Sequence, residues 1–376
     1  MMHRTAVRFA RLPCRVPVVP RFSTVASSHM QSASHSDFAV DPVFVVTSPG
    51  SRLVELRRPH GGNVLDTETT AMVSTHIANL GANSVVQALL FTSEDPDMFS
   101  LTMGAPGGRD MLEGMHAMAV AVADSEKETV VMYGGALTGT AFSAFAGAKH
   151  RLGSNVVSFR LAELAQGQLP LCGTAFHFAG SGAYHGDGAA MARYLAVTGR
   201  AVRADQLYSM GLLTHLVEEG AHDSLMQALA HTNPSSEDLG EMANQDAPTR
   251  AQSVAGLLDT MHIEEDLDVL SHKVWNDFVL VPPGRWDTEQ VQAARAAGDV
   301  EDLEEIEEQI AAVFTGDDVA AVQAALKAVD APWAAEAASH MAALDVALVQ
   351  QWWDLTATAR DTKSLQAVLQ MEGDLL

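Results

Sequence analysis

An α/β fold is what this sequence predicts, on three observations. Short apolar runs, such as 85–92 and Thr129-Val-Val-Met-Tyr133, alternate with stretches of helical spacing. Loops rich in Gly, Pro and Ser punctuate them. The strand, loop, helix order repeats to about residue 220, and beyond it helical patterns stand almost alone. Such alternation builds sheets whose strands are buried on both faces and covered by helices.

The elements follow in order. Val43-Phe-Val-Val46 and Arg52-Leu-Val-Glu-Leu-Arg57 read as a hairpin joined by Ser48-Pro49-Gly50-Ser51. A helix opens at Asp66-Thr67-Glu68, with Asp66 or Thr67 as its N-cap, and runs to about Leu80. The run 85–92 is almost continuously apolar, as a fully covered strand requires. After a loop to Gly108, a Met- and Ala-rich helix reaches Asp124. The strand at 129–133 ends at Gly134-Gly135, and residues 136–147 read as a helix. From Cys172 to Gly211 the pattern is mainly helical, and Leu213-Thr-His-Leu-Val217 is a closing strand. Later, only Val279-Leu280-Val281 has any strand character.

The organisation has three parts. Residues 1–36 carry Arg4, Arg8, Arg11, Arg15 and Arg21 and no acidic residue. An Arg-bearing, acid-free, Ser-containing start reads as a mitochondrial transit peptide, cut near Arg21-Phe22-Ser23, and places the chain in the mitochondrial matrix. Residues 37–220 form the α/β core. Residues 221–376 form a helical region with an acidic insert at about 285–316. In that insert Leu303, Ile306 and Ile310 keep a helical stripe among Asp299, Glu301, Asp302, Glu304, Glu305, Glu307 and Glu308. The acidic side is either a solvated face or a docking surface for a basic protein.

Composition excludes several functions. The chain has 376 residues, 47% of them hydrophobic, enough for one large domain with an appendage or for two domains. It lacks an apolar run of about 18 residues, so a transmembrane helix is not expected. Basic residues number 23 and acidic ones 47; without the five presequence arginines the balance is 18 to 47, a net −29. Such a surface repels phosphates and anionic lipid, so little direct RNA contact and no membrane contact are expected. With Cys14 in the presequence, Cys172 stands alone in the mature chain, so neither an internal disulfide nor a cysteine metal site is possible.

Generic catalytic patterns are weak. Gly-Lys-Ser/Thr does not occur, which removes a phosphate-binding P-loop. Gly180-Ser181-Gly182 follows no strand pattern. His177, His185 and Asp187 match no metal-ligand spacing, so no metal is expected. Cys172 reads as a small packed hydrophobe rather than a nucleophile.

Stronger signals come as segments in series. Tyr194-Leu-Ala-Val-Thr-Gly199, followed by Tyr208-Ser-Met-Gly211-Leu-Leu-Thr214-His215, closely resembles the 3-hydroxyisobutyryl-CoA hydrolases of the crotonase (enoyl-CoA hydratase/isomerase) superfamily. Val54-Glu-Leu-Arg57-Arg58-Pro59 with Asn63-Val-Leu resembles that family's first strand and turn, and 364–372 resembles its late Leu-Gln-Glu-Val-Leu-x-Met-Glu helix. The resemblance spans about 43–220 and 319–376, around a divergent middle. It implies a crotonase-type spiral of ββα units.

The resemblance also implies a site. Family members hold a thioester oxyanion on two backbone N–H groups, each worth roughly 3–4 kcal/mol. In Phe99-Ser100-Leu101-Thr102-Met103-Gly104 the first donor would be Leu101 N–H, with Thr102 in place of the family's Gly and Gly104 in place of its Asp. In Leu137-Thr138-Gly139-Thr140 the second would be Gly139, now flanked by two threonines. The hydrolases use a Glu and an Asp. Glu163 matches the first in Leu161-Ala162-Glu163, and Leu171 replaces the second. Glu163 is therefore either a remaining catalytic carboxylate or a solvated helix-start residue.

Three functions follow as expectations. The first is a catalytically silent family member, its thioester pocket filled by side chains, serving as a structural protein among protein partners in the mitochondrial ribosome small subunit. The second is an active hydrolase of a short branched acyl-CoA in valine breakdown, carried by Glu163, Gly139 and Leu101. The third is a non-catalytic CoA-binding regulator. No resident cofactor is expected; a CoA thioester would be the substrate only in the active case.

Overall fold

A computed structural model describes residues 41–47, 50–58, 61–95, 97–103, 108–154, 156–180, 187–218, 247–262 and 303–375, with Ser224, Leu225 and Ala228. The presequence with Cys14, the run 279–281, Gly104, His185, Asp299, Glu301 and Asp302 lie outside the described residues.

The hairpin forms as expected: β1 (Val43–Thr47) runs antiparallel to β2 (Ser51–Leu56). The helix α1 (Thr67–Gly81) starts at Asp66, whose carboxylate accepts the Thr69 N–H at 2.8 Å. β3 (Ala88–Ser93) begins later than its apolar run. Val85 and Val86 are held in a turn by Asn83, whose side chain accepts the Val85 N–H and whose carbonyl accepts the Val86 N–H. Then come β4 (Met98–Ser100), α2 (Arg109–Ala123) and β5 (Glu128–Tyr133).

The helix expected over 136–147 is a correction. Residues Ala136–Thr138 are a strand, β6, and only Gly139–Ser143 is helical, α3. The reason is tertiary: β6 is sandwiched between β4 and β8 (Ser158–Arg160), and ladder bonds override an Ala-rich pattern. Four further strands escape the sequence reading: β4 lies inside the stretch expected to be a loop to Gly108, and β7 (His150–Gly153), β8 and β9 (Val202–Arg203) carry no strand pattern of their own. The helices α4 (Thr174–Gly180), α5 (Gly188–Thr198) and α6 (Ala204–Ser209) and strand β10 (His215–Leu216) complete the expected order.

Among the described residues the strands form two sheets. One has the order β1-β2-β3-β5-β7-β10 and the other β4-β6-β8-β9, parallel except for the β1–β2 and β8–β9 pairs. Each turn of chain adds a strand to one sheet and then to the other before a helix returns. Phe91, Phe99, Tyr133, Phe142, Phe145 and Phe159 pack ring on ring between them. The Tyr133 hydroxyl donates to the Phe142 carbonyl at 2.8 Å, fixing α3 on this core. Where the sheets cross, Gly135 (φ +53°) leaves no room for a side chain: a Cβ there would lie 1.8 Å from the Asp97 backbone.

The later chain is helical: α7 (Ala247–Met261), α8 (Leu303–Phe314), α9 (Val319–Ala328), α10 (Pro332–Ala343), α11 (Val346–Thr362) and α12 (Leu365–Asp374). Leu303, Ile306 and Ile310 are buried, as their stripe predicts. Glu308 is exposed, but Glu307 is buried, so the acidic side of α8 is not wholly solvated. Val254 and Leu258 of α7 belong to a second hydrophobic cluster, while the first runs through the sheets and α8 to α12. Arg193 of α5, fully buried, binds them together. Its guanidinium donates to the carbonyls of Phe314, Thr315, Gly316 and Trp353, to Thr356 Oγ1 and to Asp317. No helix among the described residues is long and apolar enough to cross a membrane.

Candidate functional site

The site residues converge on one corner, where β4, β6 and β8 end side by side. Each leaves the sheet into a short turn: Leu101-Thr102 after β4, Gly139-Thr140 at the start of α3, and Leu161-Ala162-Glu163 after β8. A single-turn helix, Leu164–Gln166, follows Glu163.

Glu163 is fully buried, so the solvated alternative does not hold. Its Oε1 accepts the Thr140 N–H at 2.7 Å, at the first turn of α3. Its Oε2 is buried without a hydrogen-bond partner. Burial raises the carboxyl to about 7, and the Thr140 N–H opposes that shift without cancelling it. The group therefore exchanges its proton near neutrality.

Gly139 packs directly beside it. A Cβ on Gly139 would fall 2.2 Å from Leu161 Cδ2 and 3.1 Å from Glu163 Oε1. The space over this glycine is thus filled by Leu161 and by the carboxylate itself.

Leu101 holds a similar position on the other side. Its N–H donates to the Gly62 carbonyl at 2.8 Å, and its side chain packs with Met103 against Ala136 and Ala162. Asn63, in a left-handed conformation (φ +45°), anchors this contact: its amide donates to the Phe99 carbonyl and to Ser93, and its Oδ1 accepts the Arg58 N–H.

The three threonines are all fully buried and all bonded. Thr102 Oγ1 accepts the Leu65 N–H at 2.8 Å. Thr138 Oγ1 donates to the Thr102 carbonyl and ties the two loops together. Thr140 Oγ1 accepts the Leu171 N–H at 3.0 Å. Leu171 is itself buried, so at the position of the second carboxylate the chain presents an apolar side chain held by its own backbone.

The other candidates separate. Cys172 is buried and adopts φ +62°, and burial pushes its thiol well above the ordinary value, which leaves it a poor nucleophile. His177 lies on α4, and burial, with Arg151 nearby, lowers it to about 3. Asp187 caps α5 by accepting the Ala189 N–H. Among the described residues no group of three His, Cys, Asp or Glu side chains is placed to hold a metal.

Sequence reasoning gave no role to Glu372. This residue of α12 is fully buried; its Oε1 accepts the Gly173 N–H at 2.9 Å and its Oε2 sits 2.8 Å from His116 Nε2. It fastens the last helix to α2 and to the turn after Leu171. The available signal was a lone Glu on the apolar side of the 364–372 helix.

Comparison with known proteins places this geometry in a family. The chain resembles the structure of a carnitinyl-CoA dehydratase from Mycobacterium thermoresistibile, with a TM-score of 0.67 at 19% identity over 89% of this chain and 84% of that one. An enoyl-CoA hydratase from Rhodobacter sphaeroides gives 0.65 at 16% identity, over 88% and 83%. At such identities the likeness speaks for the fold alone. No curated protein matches the sequence. The sequence pattern of the enoyl-CoA hydratase/isomerase family matches residues 51–277, more than half of the chain. This chain belongs to the enoyl-CoA hydratase/isomerase family.

Proposed function

We propose that the chain is a catalytically silent relative of the 3-hydroxyisobutyryl-CoA hydrolases, retained as a structural protein of a mitochondrial assembly, the mitochondrial ribosome small subunit. One observation carries the reading: two of the groups that would meet a thioester are bonded to the chain itself, and the space over the third, Gly139, is filled by Leu161 and Glu163. Leu101 N–H is taken by the Gly62 carbonyl, and the Glu163 carboxylate is bound to the first turn of α3. Leu171 supplies no second carboxylate for water activation. The net −29 of the chain without its presequence arginines favours docking on basic proteins over contact with RNA. The Arg-bearing, acid-free start supports the matrix location. The reading needs no cofactor.

Two measurements test it. Purified protein should release no CoA above background from 3-hydroxyisobutyryl-CoA or other short acyl-CoAs, and CoA should give no heat by calorimetry. Intact mitochondrial ribosomes should contain the chain by mass spectrometry; its absence from them removes that placement.

A second reading has one observation of its own. A carboxyl near 7 with an unpaired, buried oxygen is suited to proton transfer in a hydrolase. Acyl-CoA turnover abolished by Glu163→Gln would install it.

A further inference from the structure

Away from that corner, the edges of the two sheets are not alike. An edge strand leaves backbone N–H and C=O groups open to another chain, and folded proteins blunt it with shortness, bulges, charge or cover. Three edges here are blunted. β10 is two residues long, and its Leu216 N–H is spent on His262 Nδ1 at 2.9 Å. β9 is also two residues long and carries Arg203, paired with Asp205. β4 is three residues long and shifts register between Met98 and Ser100, and the Leu101 N–H beyond it bonds the Gly62 carbonyl. The fourth edge is β1, Val43-Phe-Val-Val-Thr47. It pairs with β2 in unbroken register and has no charge, proline or bulge.

The open groups of β1 follow from its ladder. In an antiparallel pair, opposed residues that bond each other alternate with opposed residues that do not. The Arg57 N–H donates to the Pro42 carbonyl at 2.9 Å, so Pro42 and Arg57 occupy a bonded position. The alternation then makes Phe44–Glu55 and Val46–Leu53 bonded pairs. It points the N–H and C=O of Val43, Val45 and Thr47 away from β2. The Leu56 carbonyl fits this parity, since it accepts the Glu94 N–H on the far side of β2. Among the described residues nothing takes up the outward groups. The Phe44 side chain beside them is 44% exposed.

We propose that β1 is a dimer interface, pairing antiparallel with β1 of a second copy of this chain about a twofold axis at Val45. That register sets Val43 against Thr47, Phe44 against Val46, and Val45 against its own counterpart. The outward groups of 43, 45 and 47 then meet one another, so the ladder continues across the axis. Each Phe44 gains an aliphatic neighbour, and no charge opposes a like charge along the strand. Charge selects this occupant. The chain has 47 acidic and 23 basic residues, yet β1 has neither, so it gives a charged foreign strand nothing to pair with. Arg57, set over the Phe44 ring at 3.8 Å, is already bonded to Glu55. Twofold pairing also closes: it consumes the open edge of each copy and stops at two. The inference stands apart from what the thioester corner does.

Sedimentation of the full chain tests the interface. One short ladder lies at the small end of specific contacts, so the chain should pass from monomer to dimer between about 1 and about 100 μM. Over the same range, residue-resolved hydrogen exchange should slow at Val43, Val45 and Thr47, while Phe44 and Val46 are slow throughout. Val45→Pro removes one outward N–H and no bond to β2. Phe44→Lys, at an exposed side chain, sets like charges diagonally across the axis. Each should weaken the dimer by about tenfold or more with the circular dichroism of the monomer unchanged, and Phe44→Lys carries the test where the proline disturbs the fold. A chain that stays monomeric, or that associates without slowing those three amides, overturns the proposal. So does a dimer that Phe44→Lys leaves intact.

Discussion

Two glutamates, both withdrawn from solvent, have opposite surroundings. Glu372 has both oxygens engaged, one by the Gly173 N–H and the other by His116. Glu163 has one oxygen bonded to Thr140 N–H and one with no partner. A buried carboxylate with a partner on each oxygen is a fastener, and removing it leaves its partners stranded. One that is half answered is held where it is by the fold rather than holding the fold. The contrast separates a residue that keeps the last helix in place from one whose position is inherited with the family corner.

The largest expected effect breaks the fastener. Glu372→Ala strands the Gly173 N–H and His116 together and should cost about 3–5 kcal/mol, read as a lower denaturant midpoint. A loss under about 1 kcal/mol would mean the pairing is incidental. Next comes the half-answered partner, with the opposite sign. Glu163 titrates near 7 when folded, against 4.5 when exposed. A raised carboxyl contributes its full stability where both states hold the proton and loses it as pH rises through 7. Glu163→Gln, still able to accept the Thr140 N–H, should therefore match the wild type near about pH 4 and exceed it above pH 7 by on the order of 3 kcal/mol. Equal stability at every pH would show that the carboxylate is compensated by a partner. The smallest effect comes from the tie between the loops. Thr138→Val removes the bond to the Thr102 carbonyl and should cost about 1 kcal/mol in the same denaturation experiment.

The contrast also explains what could be read in advance. Val130, Val131 and Leu90 announce covered strands because nothing else tolerates such runs. His150-Arg-Leu-Gly153 and Ser158-Phe-Arg160 announce nothing; they become strands because neighbours offer ladder bonds. Thr102, Thr138, Thr140 and Leu171 could be singled out as departures at the site, since family spacing marks their positions. That each hydroxyl would be bonded inward, and that Leu101 N–H would be spent on Gly62, depends on chain crossings separated by up to 39 residues in sequence. Glu163 looked like a helix-start residue because Leu161-Ala-Glu-Leu-Ala-Gln166 has the composition of one. It is buried all the same, its Oε1 taken up by the Thr140 N–H at the first turn of α3.

Arg193 carries a consequence for how the chain can be divided. A guanidinium keeps its charge at any pH a protein survives, and this one has no exposed surface. Its acceptors all come from 314–317 and 353–356. Cutting the chain ahead of α8 would leave α5 with a bare cation in its apolar flank. The sheets and the last helices must therefore consolidate in one cooperative step, and the shortest piece that can stand alone includes them both.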